Sequence, residues 1–139
     1  MPRVLVIDDE PDVLMLCRVN LRHEGHEVLE ALDGETGVAL AVENPPDAVV
    51  LDLLLPAMDG FEVLTRLRGT EMTTDVPIVV LTAKAQIEDQ RLAFESGADV
   101  FLSKPFVPEE LAQIVGALLT SGPAERSEWR AAALRALAE

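Results

Sequence analysis

Five short apolar runs, each followed by a longer stretch of helical periodicity, constrain this chain more than any other feature. They fall at residues 3–7, 26–31, 48–51, 77–81 and 99–102. The runs VLVI, AVVL and PIVVL are continuously apolar, as strands covered on both faces of a parallel sheet must be, whereas HEVLEA alternates and suits an edge. Helical spacing fills 11–24, 35–43, 60–68, 86–96 and 107–119, and Gly25, Gly34, Pro45, Pro46, Gly69 and Gly97 punctuate the joins. Five βα repeats with short joins predict an α/β protein built on a doubly wound parallel sheet.

Apolar residues make up 49% of the 139, enough for one core, so residues 1–121 are expected to form a single domain and 122–139 a helical tail or linker. The tail segment ERSEWRAAALRALAE is Ala-rich and places Trp129, Ala133 and Leu137 on one stripe. It reads equally as a frayed extension or as a helix that packs on a neighbour or leads into a further domain. The net charge of −14 lies wholly outside the tail, since residues 1–121 hold 22 acids and 8 bases and the tail three of each. Such a surface argues against tracking a nucleic-acid backbone, which needs clustered Lys and Arg. One cysteine excludes an internal disulfide, and Cys17 sits among Val13, Leu16, Asn20 and Leu21 at helical spacing, a packing position. With no apolar leader and no apolar run near the roughly 20 residues of a membrane span, a cytoplasmic location is expected.

In a doubly wound sheet, ligands bind beyond the carboxyl ends of the strands, where the winding reverses. The residues just past the apolar runs are Asp8 and Asp9, then Asp52, then Thr82 with Ala83, then Lys104 with Pro105. Carboxylates a few ångströms apart repel by on the order of 4 kcal/mol, so such a group implies a counter-cation or a raised pKa. An all-oxygen set without His or a second Cys suits a hard ion, magnesium first, with manganese able to substitute. A metal-bound carboxylate beside a lysine and a hydroxyl is equipment for phosphoryl transfer to that carboxylate, here Asp52. Alone, each has a plainer reading: Asp8-Asp9 as a helix cap, Thr82 as a strand end, Lys104 as a surface charge, Phe101 and Phe106 as core. Asp59 and Gly60 read as a turn and helix start.

Four blocks then stand in order and correctly spaced: VLVIDDEPDV at 4–13, VVLDLLLPAMDGFEVL at 49–64, PIVVLTA at 77–83 and GADVFLSKPF at 97–106. Through them the chain resembles the receiver domains of two-component response regulators, similar to the single-domain chemotaxis and relay regulators, over residues 1 to about 120. The resemblance implies a flavodoxin-like fold, strand order 2-1-3-4-5 with five helices. It makes Asp52 the phosphoacceptor, Asp9 a direct magnesium ligand, Asp8 a ligand through water, and the Leu54 carbonyl the third protein ligand. Lys104 would contact the phosphoryl group, with Pro105 in cis, and Thr82 with Phe101 would relay phosphorylation to the surface. It implies a sensor histidine kinase or histidine phosphotransfer protein as donor. The readers would be a downstream effector or an output domain, and a homodimer would form through the fourth helix, fifth strand and fifth helix.

Two positions depart from common choices in that family. Phe101 stands where tyrosine is also frequent, so no phenolic hydroxyl takes part. Leu54 and Lys84 stand where polar or acidic side chains often position the attacking water. The rival reading as a magnesium-dependent phosphatase is disfavoured because such enzymes place a second carboxylate two residues past the nucleophile, and Leu54 stands there. A phosphorylation-independent pseudo-receiver is disfavoured by Asp9, Asp52, Thr82 and Lys104 together. The module is therefore read as a signalling domain and not an enzyme, and the Met before the first run favours a free-standing regulator over the receiver part of a DNA-binding regulator or hybrid kinase.

Overall fold

The computed structural model describes residues 1–138. Five strands, β1 (Arg3–Ile7), β2 (Glu27–Ala31), β3 (Ala48–Leu51), β4 (Ile78–Thr82) and β5 (Val100–Ser103), alternate with α1 (Pro11–His23), α2 (Gly34–Glu43), α3 (Gly60–Arg68), α4 (Ile87–Glu95) and α5 (Pro108–Leu119). All pairings are parallel and the order is β2-β1-β3-β4-β5, as expected.

The continuous apolar runs are explained by their two faces. Successive side chains of a strand point to opposite sides, so in β1 Leu5 and Ile7 enter one core layer and Val4 and Val6 the other. The same split sends Val49 and Leu51, Ile78 and Val80 towards α2 and α3, and Ala48 and Val50, Val79 and Leu81 towards α1 and α5. Each such buried aliphatic side chain stabilises the fold by about 1.5–3 kcal/mol relative to exposure. Edge strand β2 is only partly covered: Val28 is buried in the α1–α5 layer and Ala31 in the α2–α3 layer, and Glu27, Leu29 and Glu30 are half-buried. Cys17 is buried in the α1–α5 layer and burial pushes its thiol up to about 12, which fits packing and no chemistry. Among the described residues no helix is long and apolar enough to cross a membrane.

Local chemistry sets the helix starts. Asp33 caps α2 by accepting from Thr36 N, and Asp59 caps α3 by accepting from Phe61 N at 2.8 Å, while α1 and α5 begin on Pro11 and Pro108, where a missing N–H costs nothing. The turn reading of Asp59 and Gly60 is therefore correct, but Gly60 also does more. A Cβ there would meet Leu53 Cα at 2.4 Å and Asp52 O at 2.6 Å, so the start of α3 lies directly against the backbone of the loop after β3.

The tail is a sixth helix, α6 (Pro123–Leu137), packed on α4. Its expected stripe of Trp129, Ala133 and Leu137 is half-buried, and Trp129 packs against the α1–α5 layer. The anchor is Asp99, just before β5, which is fully buried. Its Oδ2 accepts from Ile78 N at 2.8 Å and Arg68 Nη2 at 3.1 Å, and its Oδ1 pairs with Arg130 and lies 4.0 Å from Arg126 Nε.

Candidate functional site

The carboxyl ends of β1, β3, β4 and β5 meet at one edge of the sheet. Asp52 N donates to Ile7 O at 3.0 Å, placing the residue after β3 beside the end of β1, and Lys104 N donates to Thr82 O at 2.9 Å, placing the loop after β5 beside the end of β4. From these ladders the side chains converge. Lys104 Nζ lies 3.0 Å from Asp52 Oδ2, 2.9 Å from Asp8 Oδ2 and 2.8 Å from Glu10 Oε1. One oxygen from each of Asp8, Asp9, Glu10 and Asp52 lies within 4.8 Å of the others. Asp8 and Asp52 are buried and form the floor; Asp9 and Glu10 are exposed and form the rim.

The electrostatics follow from three carboxylates, Asp8, Glu10 and Asp52, sharing one ammonium, with a fourth, Asp9, close by. Burial raises the Asp8 pKa above its ordinary value, and the Asp52 charge adds to this, against the opposing pull of the Glu10 N–H at 2.9 Å and of Lys104. Burial alone would lower the Lys104 pKa, yet its hydrogen bonds to Glu10, Asp8 and Asp52 outweigh that and hold it above the usual lysine value. Because the folded state holds the Asp8 proton more tightly than the unfolded chain, Asp8 favours folding at low pH. That contribution is complete below the ordinary carboxylate value of 3.8 and is lost as pH rises through the raised folded value. Asp8→Asn removes one of the crowded charges while its amide oxygen can still accept from Glu10 N. In metal-free buffer at neutral pH it is expected to stabilise the protein by on the order of 1–2 kcal/mol, read as a higher midpoint in urea. A lowered midpoint would show that the Lys104 pairing outweighs the repulsion.

Asp8, Asp9, Asp52 and Lys104 thus arrive together, with Glu10 in addition. Glu10 reads as an ordinary acid at a helix start and its reach to Lys104 across the site has no local signal in the sequence. Leu54 N donates to Asp52 Oδ1 at 3.0 Å, orienting the carboxylate, while its side chain is half exposed. Thr82 is fully buried at the end of β4, with Oγ1 accepting from Lys84 N at 3.1 Å. Lys84 does not reach the acids; its ammonium lies 5.8 Å from the Phe61 ring centroid and 3.9 Å from Asp89. Phe101 is half-buried on β5, its ring 6.4 Å from that of Phe94 on α4, and the Lys104–Pro105 peptide is cis. Phe106 is half-buried against the α1–α5 layer, a core role.

Residues 4–116 match the family model of the response regulator receiver domain. The chain belongs to that family. Receivers bind magnesium in an acidic pocket, and the all-oxygen cluster of Asp8, Asp9, Glu10 and Asp52 is chemically suited to such a hard cation. The receiver is 50% identical over 119 residues to the DNA-binding dual master transcriptional regulator RpaA of Synechocystis, covering 86% of this chain and 49% of that protein. The chain spans about half the length of the curated relatives it matches. A response regulator from Chloroflexus aurantiacus has a similar structure, with a TM-score of 0.81 at 37% identity over 86% of this chain and 98% of that one. So has the receiver domain of the sensor histidine kinase PA1611 from Pseudomonas aeruginosa, with magnesium coordinated in its active-site cleft. There the TM-score is 0.80 at 31% identity, over 86% of this chain and 98% of that one. The module is a phosphorylation-activated signalling domain of two-component systems and not an enzyme in the ordinary sense.

Proposed function

We propose that Asp52 accepts a phosphoryl group from the phosphohistidine of a sensor histidine kinase or histidine phosphotransfer protein, in a magnesium-dependent reaction. The observation that carries this is the convergence of Lys104 Nζ on both buried acids, Asp8 and Asp52. A carboxylate oxygen of Asp52 attacks phosphorus, the bond to the donor imidazole nitrogen breaks, and the electron pair leaves with the imidazole. Lys104, already held between the acids, shifts its charge to the incoming phosphoryl oxygens. Thr82 Oγ1 accepts from Lys84 N, so its own proton is free to be donated to a phosphoryl oxygen. Asp9, Asp52, Asp8 through water and the Leu54 carbonyl would hold magnesium or manganese, which when bound neutralises the transferred group. The hydroxyl of Thr82 and the ring of Phe101 relay the event to the face formed by α4, β5 and α5, which an effector, an output domain or a second copy would read. Residues 1–121 act as the receiver unit and 122–139 as its helical tail.

Acetyl phosphate with magnesium tests the reaction. Intact mass is expected to rise by one phosphoryl group in the wild type and not in Asp52→Asn or without the metal; equal labelling of both proteins would exclude Asp52 as acceptor. The lifetime of the product follows from Leu54 and Lys84. At those two positions an apolar, half-exposed Leu54 and a lysine drawn over Phe61 offer no acceptor to orient an attacking water. The phosphoprotein is expected to persist for minutes or longer by acid-quench sampling, and decay within seconds would contradict this.

The half-length match to curated transcriptional regulators favours a second reading over the free-standing one, in which this is the receiver portion of a DNA-binding regulator. The length of the open reading frame decides between them.

A further inference from the structure

We infer that α6 is a displaceable in-chain cover of the face formed by α4 and β5, and that filling the Asp52 site loosens it; this rests on the proposed phosphorylation of Asp52. The cover is held at its first two turns. Arg126 is buried and donates to Ser121 O at 2.8 Å, Ser121 Oγ at 3.0 Å and Asp75 O at 2.8 Å, Arg130 pairs with Asp99, and Trp129 lies against the α1–α5 layer. Further along, Ala133, Leu134 and Leu137 are only half-buried. A helix of 15 residues is marginal on its own in water, so α6 depends on these few tertiary contacts. Elements held so lightly are the ones that open first.

The element under α6 is also the element next to the acceptor site. α4 follows directly on the loop that Thr82 holds through Lys84 N. Near its other end, Phe94 pairs its ring with that of Phe101 at 6.4 Å. Phe94 also lines, with Pro123, Arg126 and Arg130 of α6 and with Arg68, a cavity of about 350 Å³. Thr82 is thus tied to the loop that leads into α4 and Phe101 to its last turn, where Phe94 lines the pocket between α4 and α6. When Thr82 turns to the phosphoryl group and Phe101 swings inward, Phe94 loses its ring partner. Coupling of this kind is reciprocal, so a loosened α6 must favour the filled site by the same factor.

Trp129 is the sole tryptophan and reports α6 directly. The full chain is titrated with beryllium fluoride and magnesium, with fluorine NMR reporting the filled site, and Trp129 emission and hydrogen exchange over α6 reporting the cover. Filling is expected to shift Trp129 emission to the red and to lower amide protection in α6 by at least about fivefold, the lower end of usual coupling. Bound fluoride with unchanged emission and protection overturns the cover while leaving Asp52 chemistry intact. Absence of any bound fluoride signal overturns the Asp52 reading and the inference with it. The reciprocal arm uses Arg130→Ala, which leaves Asp99 paired with Arg68 and Ile78 N and so keeps the fold. It is expected to bind beryllium fluoride at least about fivefold more tightly, and unchanged affinity would overturn the coupling.

Discussion

Asp99→Ala is expected to destabilise the receiver by about 3–5 kcal/mol, the cost of stripping a buried partner from charges that stay buried. The carboxylate is fully enclosed, and Arg68, Arg126 and Arg130 all face it. Arg68 keeps its bonds to Gly97 O at 2.8 Å and Val76 O at 2.6 Å after the substitution, so it remains in place with its charge uncompensated. Burial already lowers the Arg68 pKa and the other two arginines lower it further, with Asp99 opposing both. The Ile78 amide, at the first residue of β4, also loses its acceptor. Urea unfolding followed by circular dichroism measures the loss, and a change under about 1 kcal/mol would show that water reaches the arginines. Asp99→Asn retains an acceptor for Ile78 N and should fall between the two proteins.

Gly60→Ala should have an effect of similar size through sterics instead of charge. The new methyl would stand 2.4 Å from Leu53 Cα and 2.6 Å from Asp52 O, and neither is a flexible side-chain end that can yield. Overpacking against a core commonly costs about 1–3 kcal/mol, and contact with backbone puts this case at ~3 kcal/mol or above. The displaced backbone is that of the acceptor itself. Phosphoryl incorporation from acetyl phosphate should therefore fall by about tenfold or more even in buffer cold enough to keep the variant folded, as checked by circular dichroism, because misplacement on the order of 1 Å costs about a hundredfold in comparable reactions. Wild-type labelling by a folded Gly60→Ala protein would show that the loop relaxes without moving Asp52.

These two residues also mark where sequence reading succeeds and where it stops. The strands are legible because a parallel sheet covered on both faces forces unbroken apolar runs, so VLVI and AVVL carry their own burial. The site is legible because such a sheet delivers its ligands at the strand ends, which puts Asp8, Asp52, Thr82 and Lys104 at predictable places. Asp99 carries no comparable signal. In GADV it looks like an ordinary acid opening the fifth run, and its partners come from the end of α3 and from the tail, far away in sequence. Gly60 was legible as a helix start, but its close approach to Asp52 depends on how α3 settles on the loop. Glu10 is hidden in the same way, since an acid at a helix start is ordinary and only the fold brings Lys104, from the loop after β5, to it.

The tail shows the same limit from the other side. Composition alone predicts its helix but not whether it packs, because its stripe is weakly apolar and its hold comes from Arg126 and Arg130 meeting Asp75, Asp99 and Ser121 and from Trp129 lying against the α1–α5 layer. If α6 is the cover inferred above, the expected dimer through α4, β5 and α5 has to displace it first.

In the proposed reaction one carboxylate among four, Asp52, becomes covalently phosphorylated. The direct test is to treat the protein with acetyl phosphate and magnesium, trap the acyl phosphate by borohydride reduction, and map the reduced residue by peptide mass spectrometry. A single modified position, Asp52, is expected, and none when magnesium is withheld. Modification at Asp8, Asp9 or Glu10 with Asp52 untouched, or no modification at all, would contradict it.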